Sequence, residues 1–147
     1  MSTYESSKHE ASRLVAVYPQ LFVSDVRASC EFYTRVLGFK MSFLHGEPPF
    51  YGQVERDGIR LNLRHVCDSV FDDDMRERES LLSAYIDVSE VEELYGEFSA
   101  AGAEFQQGLK RQSWGVQDFV IRDPDGNLLL FGEYTYGAGQ TAAADVR

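Results

Sequence analysis

The sequence predicts an α+β fold in which one β-α-β-β-β unit is used twice within a single domain. Three observations support this prediction. Short strand-like runs alternate with two amphipathic helical segments, and tight-turn residues separate the runs. The same order of elements also recurs about 65 residues further along the chain. The two units are expected to form a curved mixed sheet with the helices on its outer face.

The chain divides into two units, a connecting segment and two tails. The connecting segment is rich in acidic and basic residues and is expected to be a solvated linker, whereas the tails lack hydrophobic periodicity. The predicted divisions are a flexible tail at 1–13, a first unit at 14–66, a linker at 67–80, a second unit at 81–134 and a flexible tail at 135–147.

The first unit begins with a strand at Leu14–Val23. Pro19 interrupts it, and because proline cannot donate to a strand ladder, this strand lies at an edge or bends there. A helix capped by Ser24 or Asp25 then runs to about Val36, with apolar residues on one face. Three short strands complete the unit, at 39–45, 50–56 and 59–66.

The second unit repeats this order. A strand is predicted at 82–88, followed by a helix capped by Ser89 with Glu92 at the capping-box position. The last two strands flank Asp123–Asn127, in which side chains that bond their own backbone, a proline and a glycine all favour a tight turn. The strands are expected at 103–109, 115–122 and 127–134.

Composition restricts the class of protein. The chain has 147 residues, 44% of them hydrophobic, and a formal charge of −10, so nucleic acid is an unsuitable partner. There is no apolar run long enough to span a membrane and no signal peptide, which predicts a cytoplasmic protein without a membrane partner. The two cysteines, Cys30 and Cys67, lack metal-site spacing, and Cys30 is expected in the core.

Alternation along the strands sorts side chains onto two faces. In each of three strands one face is mainly apolar and should pack against a helix, while the other carries polar and aromatic residues. In the last strand the same alternation assigns Leu129 and Phe131 to the core and Leu130 to the other face. The second face meets either water or a ligand in a concave groove. Its members include Tyr18, Gln20 and Phe22, then Arg60, Asn62 and Arg64, and then Ser83, Tyr85 and Asp87.

Two motifs resemble those of the vicinal oxygen chelate superfamily, which contains glyoxalase I, extradiol dioxygenases and bleomycin-resistance proteins. They are V-S-D-V-x-x-S-x-x-F-Y-T-x-V-L-G-F at Val23–Phe39 and W-G…R-D-P-D-G-N-L-L-L-F at Trp114–Phe131. The resemblance is nearest to the bleomycin-resistance proteins, which sequester a cationic drug in the grooves of a homodimer without chemistry. In that family a proline like Pro19 marks the hinge for exchange of the N-terminal strand between subunits.

The resemblance also addresses metal binding. Metal-dependent members place His or Glu at four inward positions, which here hold Tyr18, Asn62, Ser83 and Leu130. None of these is a histidine or carboxylate, so no metal, no cofactor and no catalytic residue is expected. His65 and Glu133 are the residues that could substitute as ligands, but their odd offsets from Asn62 and Leu130 place them on the opposite strand face unless a bulge intervenes.

Affinity without a metal must come from aromatic burial and from polar groups that orient the ligand. By resemblance, Phe43 and Phe50 line the groove, Tyr85 stacks on the ligand and Trp114 lies at its mouth. The other expected contacts are Asn62, Arg60, Arg64 and Asp87, with Asp118 as a further partner for a cation. The two arginines favour an anion, whereas the overall charge favours a cation, and they could instead pair with Asp87 or with the partner subunit.

Three functions remain open at this point. The leading one is a dimeric, non-catalytic binder of an antibiotic-like or other aromatic small molecule. The second is a glyoxalase-like or dioxygenase-like enzyme of the same superfamily with an atypical site, and the third is an accessory protein without a groove ligand.

Overall fold

The computed structural model describes residues 11–69 and 71–135, in which the order β-α-β-β-β occurs twice. The predicted α+β class and the two modules are thereby confirmed. The elements are β1 (Gln20–Val23), α1 (Val26–Arg35), β2 (Lys40–His45), β3 (Tyr51–Arg56), β4 (Ile59–His65), α2 (Asp73–Glu79), β5 (Ala84–Asp87), α3 (Val91–Ala100), β6 (Glu104–Arg111), β7 (Val116–Arg122) and β8 (Leu128–Tyr134). No helix in the described part of the chain is long and apolar enough to cross a bilayer.

Each module forms its own four-stranded mixed sheet, in the orders β1-β4-β3-β2 and β5-β8-β7-β6. In both, the first strand pairs in parallel with the last, and the remaining pairs are antiparallel. The parallel pair requires a crossover, which the helix after the first strand supplies. The predicted curved sheet is therefore divided into two sheets, one for each module.

The helix of each module packs on one face of its sheet, and a single hydrophobic cluster joins the two modules. The face assignment from strand alternation is confirmed for most of the residues predicted to face the helices, which are buried, whereas Ile59 at the start of β4 and Leu82 before β5 are 42% and 39% exposed. Phe119 stacks on Phe131 with ring centroids 5.4 Å apart, and Cys30 lies in the same cluster as predicted. The buried residues that the alternation had assigned to the helix side are Leu21, Val23, Leu61, Leu63, Ile86, Leu129 and Phe131.

The predicted turn at Asp123–Asn127 is present and joins the modules. Asp123 accepts hydrogen bonds at 2.8 Å from the backbone N–H groups of Asp125 and Asn127, and Gly126 adopts a φ of 82°. The backbone N–H of Ser24, which leads into α1, donates to Asp125 Oδ1 at 2.9 Å. A turn of the second module thus fixes the start of the helix in the first.

The segment predicted to be a linker contains the helix α2. Asp72 caps this helix by accepting from the backbone N–H of Met75 at 3.1 Å. Arg76 is buried and donates to Asn127 Oδ1 at 3.3 Å and to the Asp125 carbonyl at 2.8 Å. The expectation of a fully solvated charge run was wrong, because Arg76 has partners that only the folded chain brings close to it.

The start of α3 also differs from the prediction. Its N-cap is Glu90 rather than Ser89, with a φ of 58° and no side-chain capping bond. The N–H of Val91 instead donates to Glu133 Oε1 at 3.0 Å, so the cap comes from strand β8. Strand β1 begins at Gln20 and is shorter than predicted, so Leu14 and Val17 lie before it and are 102% and 90% exposed.

Candidate functional site

Each sheet has one face turned away from its helix, and these two faces carry most of the predicted ligand contacts. We call the face of the first sheet that carries Arg60, Asn62 and Arg64 the N-terminal open face. We call the face of the second sheet that carries Tyr85, Asp87, Asp118, Leu130 and Tyr134 the C-terminal open face. The assignment follows from the strand registers and the alternation of side chains.

The centre of the N-terminal open face is a hydrogen-bonded row of amides. Asn62 lies between Gln20 on β1 and Gln53 on β3, and Gln53 Nε2 donates to Asn62 Oδ1 at 2.9 Å. Asn62 is 5% exposed. Phe43 follows on β2, and its ring centroid lies 5.8 Å from that of Tyr51. Strand β4 thus places Asn62 among aromatic side chains, which suits contact with a planar ligand.

The two arginines of this face differ in their surroundings. Arg60 pairs across the ladder with Glu55 and donates to the Tyr18 hydroxyl at 3.3 Å. Arg64 is exposed, lies between Phe22 and Tyr51, and forms no ion pair with any residue in 11–69 or 71–135. Arg64 is therefore the arginine better placed to receive an anion from outside the subunit.

The C-terminal open face is acidic and aromatic. Asp87 on β5 and Asp118 on β7 lie on either side of Gly132 on β8. Asp118 is 3% exposed and accepts from Gln107 Nε2 at 2.8 Å and from Gln112 Nε2 at 3.1 Å. The two carboxylates thus flank a position that has no side chain.

Two tyrosines lie beside these carboxylates. Burial raises the pKa of the Tyr85 hydroxyl to about 12, with further contributions from Tyr134, Asp87 and Asp118. The Tyr85 hydroxyl also shares a hydrogen bond with Tyr134. Its ring remains half exposed, so Tyr85 presents a neutral, hydrogen-bonding aromatic surface at neutral pH. Sequence reasoning did not include Tyr134, although its even offset from Leu130 on the same strand placed it on this face.

Two predicted ligand contacts lie apart from these faces. Phe50 precedes β3 and lines a depression beside Asp25 and His65 at the start of α1, on the helix side of the sheet. Trp114 occupies the turn between β6 and β7 and is 48% exposed. The structure therefore separates Phe50 from Phe43 and leaves Trp114 at the end of the second sheet.

The four positions that the resemblance assigns to metal ligands hold side chains that do not suit a metal. The Tyr18 hydroxyl accepts from Arg60, and Asn62 Oδ1 accepts from Gln53. Ser83 Oγ donates to an amide oxygen at 3.2 Å, and Leu130 has only an aliphatic side chain. Among residues 11–69 and 71–135, no group of three or more His, Cys, Asp or Glu side chains is placed to hold an ion.

His65 and Glu133, the possible substitute ligands, each contact the backbone near the start of a helix. His65 Nδ1 lies 3.0 Å from the Ser24 carbonyl before α1, and Glu133 accepts from the N–H of Val91 at the start of α3. This confirms the prediction that both lie on the strand face opposite Asn62 and Leu130. The structure adds a contact without a sequence signal, since Cys67 Sγ lies 3.8 Å from His65 Nε2.

A cavity of about 500 Å³ lies between the modules beside α2. Its charged groups are largely paired with one another. Arg122 donates to both carboxylate oxygens of Glu77, at 2.7 and 2.9 Å, and this bidentate contact lowers the pKa of Glu77. Because these charges satisfy each other, the cavity offers less for a ligand than the open faces do.

A profile of the Glyoxalase/Bleomycin resistance protein/Dioxygenase superfamily matches residues 15–131. The chain belongs to this superfamily. The match spans both modules, so the superfamily assignment rests on the whole double unit rather than on one motif.

Three individual proteins show how similar the chain is to known ones. It is 30% identical over 124 residues to a bleomycin resistance protein of Geobacillus stearothermophilus, covering 77% of this chain and 92% of the relative. The bleomycin-binding protein of Streptomyces verticillus, solved with copper(II)-bleomycin, is 25% identical to this chain with a TM-score of 0.65. The match covers 86% of this chain and 99% of the Streptomyces protein. The bleomycin resistance determinant of transposon Tn5 has 20% identity and a TM-score of 0.67, covering 84% and 100%. The last of these supports the fold alone.

Proposed function

We propose that this superfamily member is a non-catalytic binding protein of the bleomycin-resistance type, which sequesters an antibiotic-like or other aromatic small molecule in a groove of a homodimer. The observation that carries the proposal is the composition of the two open faces. They combine aromatic rings with hydrogen-bonding groups, whereas the positions used for metal ligation elsewhere in the superfamily hold Tyr18, Asn62, Ser83 and Leu130. Such a surface supplies area and orientation for binding without a reactive group.

Similarity to bleomycin resistance proteins supports the choice of ligand class. The relative at 30% identity is named for resistance to that drug, and the Streptomyces neighbour was solved with it. Bleomycin is therefore the first ligand to test. In this proposal Tyr85 and Phe43 provide aromatic contacts on the open faces, Trp114 contacts the ligand from the end of the second sheet, and Asn62 orients the ligand.

The segment of residues 14–19, which we call the N-terminal arm, supports the homodimer. Leu14, Val15 and Val17 are each at least 85% exposed, and β1 begins only after Pro19. Apolar side chains that project from one subunit gain stability when they pack on another. We propose that the arm exchanges between subunits with Pro19 as its hinge.

Titration with metal-free bleomycin tests the binding proposal, with Trp114 fluorescence and calorimetry as readouts. We expect saturable binding of one ligand per subunit. Tyr85→Ala should weaken it by about 1–2 kcal/mol through lost aromatic contact. Phe50→Ala is the matched control and should leave affinity unchanged, because Phe50 lies on the helix side of its sheet. Absence of saturable binding to bleomycin and to a panel of aromatic compounds would overturn the proposal.

Sedimentation velocity tests the dimer. The unchanged chain should sediment as a dimer at micromolar concentration. Leu14→Asp with Val17→Asp should shift it toward monomer, because two charges would have to be buried against the partner subunit. A monomer for the unchanged chain would contradict the proposed assembly.

A further inference from the structure

The two open faces carry opposite charge. On the N-terminal open face, Glu55 lies between Arg60 and Lys40 in the register, so these three residues together carry one positive charge. Arg64 adds a second positive charge to this face. A positive surface is notable in a chain whose formal charge is −10. On the other face Asp87 and Asp118 belong to the second sheet. Lys110 lies opposite Asp118 in the register and offsets its charge, so Asp87 is the exposed negative group of that face.

The sequence left open whether the arginines pair with Asp87 or bind a ligand. Arg64 and Asp87 belong to different sheets, and no ion pair joins them within the described part of one subunit. The positive and negative groups therefore remain available to separate groups of a ligand.

The C-terminal open face offers a place for an organic cation. Asp87 is exposed on this face, and the half-exposed ring of Tyr85 lies two residues before it on the same strand. The space over Gly132 is closed, because a Cβ atom there would come within 3.2 Å of Leu130 Cδ2 and 3.3 Å of Asp118 Cβ. The exposed carboxylate of Asp87 is therefore the group that a cation can reach. Carboxylates together with aromatic rings are the combination that recognises alkylammonium and guanidinium groups.

The N-terminal open face offers the complementary place for an anion. The Arg64 guanidinium lies between Phe22 on β1 and Tyr51 on β3 in the register. A guanidinium binds a carboxylate through two parallel hydrogen bonds, and neighbouring aromatic surface reduces the competition from water.

We propose that the ligand is zwitterionic, with an aromatic core that bears a cation at one end and a carboxylate at the other. The cation binds the Asp87 carboxylate beside Tyr85, and the carboxylate binds Arg64. The inference rests on the proposed function, because one ligand reaches both sites only where the N-terminal open face of one subunit meets the C-terminal open face of the partner.

Three matched probes test the inference. The first is a biphenyl with an aminomethyl group on one ring and a carboxylate on the other, and the second and third carry the amine alone or the acid alone. By calorimetry, the zwitterion should bind about five- to tenfold more tightly than either singly charged probe, which corresponds to one additional charge pair.

Two variants locate the charge contacts. Arg64→Gln should remove the advantage of the zwitterion over the amine probe, and Asp87→Asn should remove its advantage over the acid probe. Arg27→Gln and Glu31→Gln on the exposed side of α1 make the same charge changes away from both faces and should alter neither ratio. Circular dichroism and sedimentation of each variant establish that fold and assembly are retained.

The outcomes separate the inference from the function on which it rests. Equal affinity for the three probes, tighter binding of a singly charged probe or no binding of any probe overturns the zwitterion assignment. If Arg64→Gln or Asp87→Asn weakens the dimer and leaves the probe ratios unchanged, the two residues pair across the interface and the assignment is also wrong. Bleomycin binding by the unchanged protein then shows whether the proposed function survives.

Discussion

Tyr33 donates a 2.8 Å hydrogen bond from its hydroxyl to Asp123 Oδ2, and this bond links the helix of the first module to the main turn of the second. Tyr33 is fully buried and Asp123 is 3% exposed. Burial raises the pKa of Asp123, against the opposing effect of hydrogen bonds from Asn127 and Tyr33. The pair therefore contributes to the alignment of the two modules on which the open faces depend.

Tyr33→Phe tests this link. Removal of the hydroxyl leaves a buried carboxylate oxygen with one fewer donor, so the free energy of unfolding should fall by about 1–3 kcal/mol. Urea unfolding followed by circular dichroism measures the change. Tyr51→Phe, which removes the hydroxyl that accepts from Gln20 in an exposed setting, should cost less than about 0.5 kcal/mol. Equal stability of both variants would argue against a structural role for the Tyr33 bond.

Arg76→Ala should destabilise the chain, although Arg76 lies in the charged segment that the sequence predicts to be a linker. The side chain is 4% exposed and holds Asn127 and the Asp125 carbonyl, so its loss leaves buried acceptors unsatisfied at a cost of about 1–3 kcal/mol. Arg78→Ala is the control in the same helix. Its ion pairs with Asp74 and Glu79 are exposed and should contribute less than about 0.5 kcal/mol. Thermal and urea unfolding compare the two variants, and a similar loss in each would contradict the prediction.

Tyr85 should ionise at a higher pH than an ordinary tyrosine. Its folded-state pKa of about 12 lies above the ordinary value of 10.0, so the folded chain keeps this proton while the unfolded chain loses it. This contribution to stability is complete below the unfolded pKa and is lost as the pH rises from about 10 to 12. Phenolate absorbance of the native protein measures the ionisation, and Tyr85→Phe should remove one late-titrating group. If the variant removes a group that titrates near the ordinary value, the environment assigned to Tyr85 is wrong.

The two cysteines should differ in reactivity. Cys67 is exposed, whereas Cys30 is buried and burial raises its pKa. Because the thiolate is the reactive form, a maleimide should label Cys67 first in the native protein and reach Cys30 only after unfolding. Peptide mass spectrometry locates the label, and Cys67→Ser provides the control. Rapid labelling of Cys30 in that native variant would contradict its placement in the core.

The repeated module and its faces follow from local patterns. Alternation in β1, β4, β5 and β8 identified the buried residues, and the turn at Asp123–Asn127 was recognised from residues that bond their own backbone. The same alternation placed Arg60, Arg64, Tyr85 and Asp87 away from the helices. These assignments succeed because side-chain direction in a strand is determined by sequence position.

The sequence by itself determined the double βαβββ unit, the core side of β1, β4, β5 and β8, and the residue types at the four positions that the resemblance assigns to metal ligands. Only the tertiary structure decided that Arg76 is buried, that Glu133 caps α3 and that the charges of Arg64 and Asp87 are held on separate sheets. Arg76 meets Asn127 across 51 positions of the chain and Val91 meets Glu133 across 42. Contacts over such separations depend on how the elements pack in three dimensions, which no local pattern encodes.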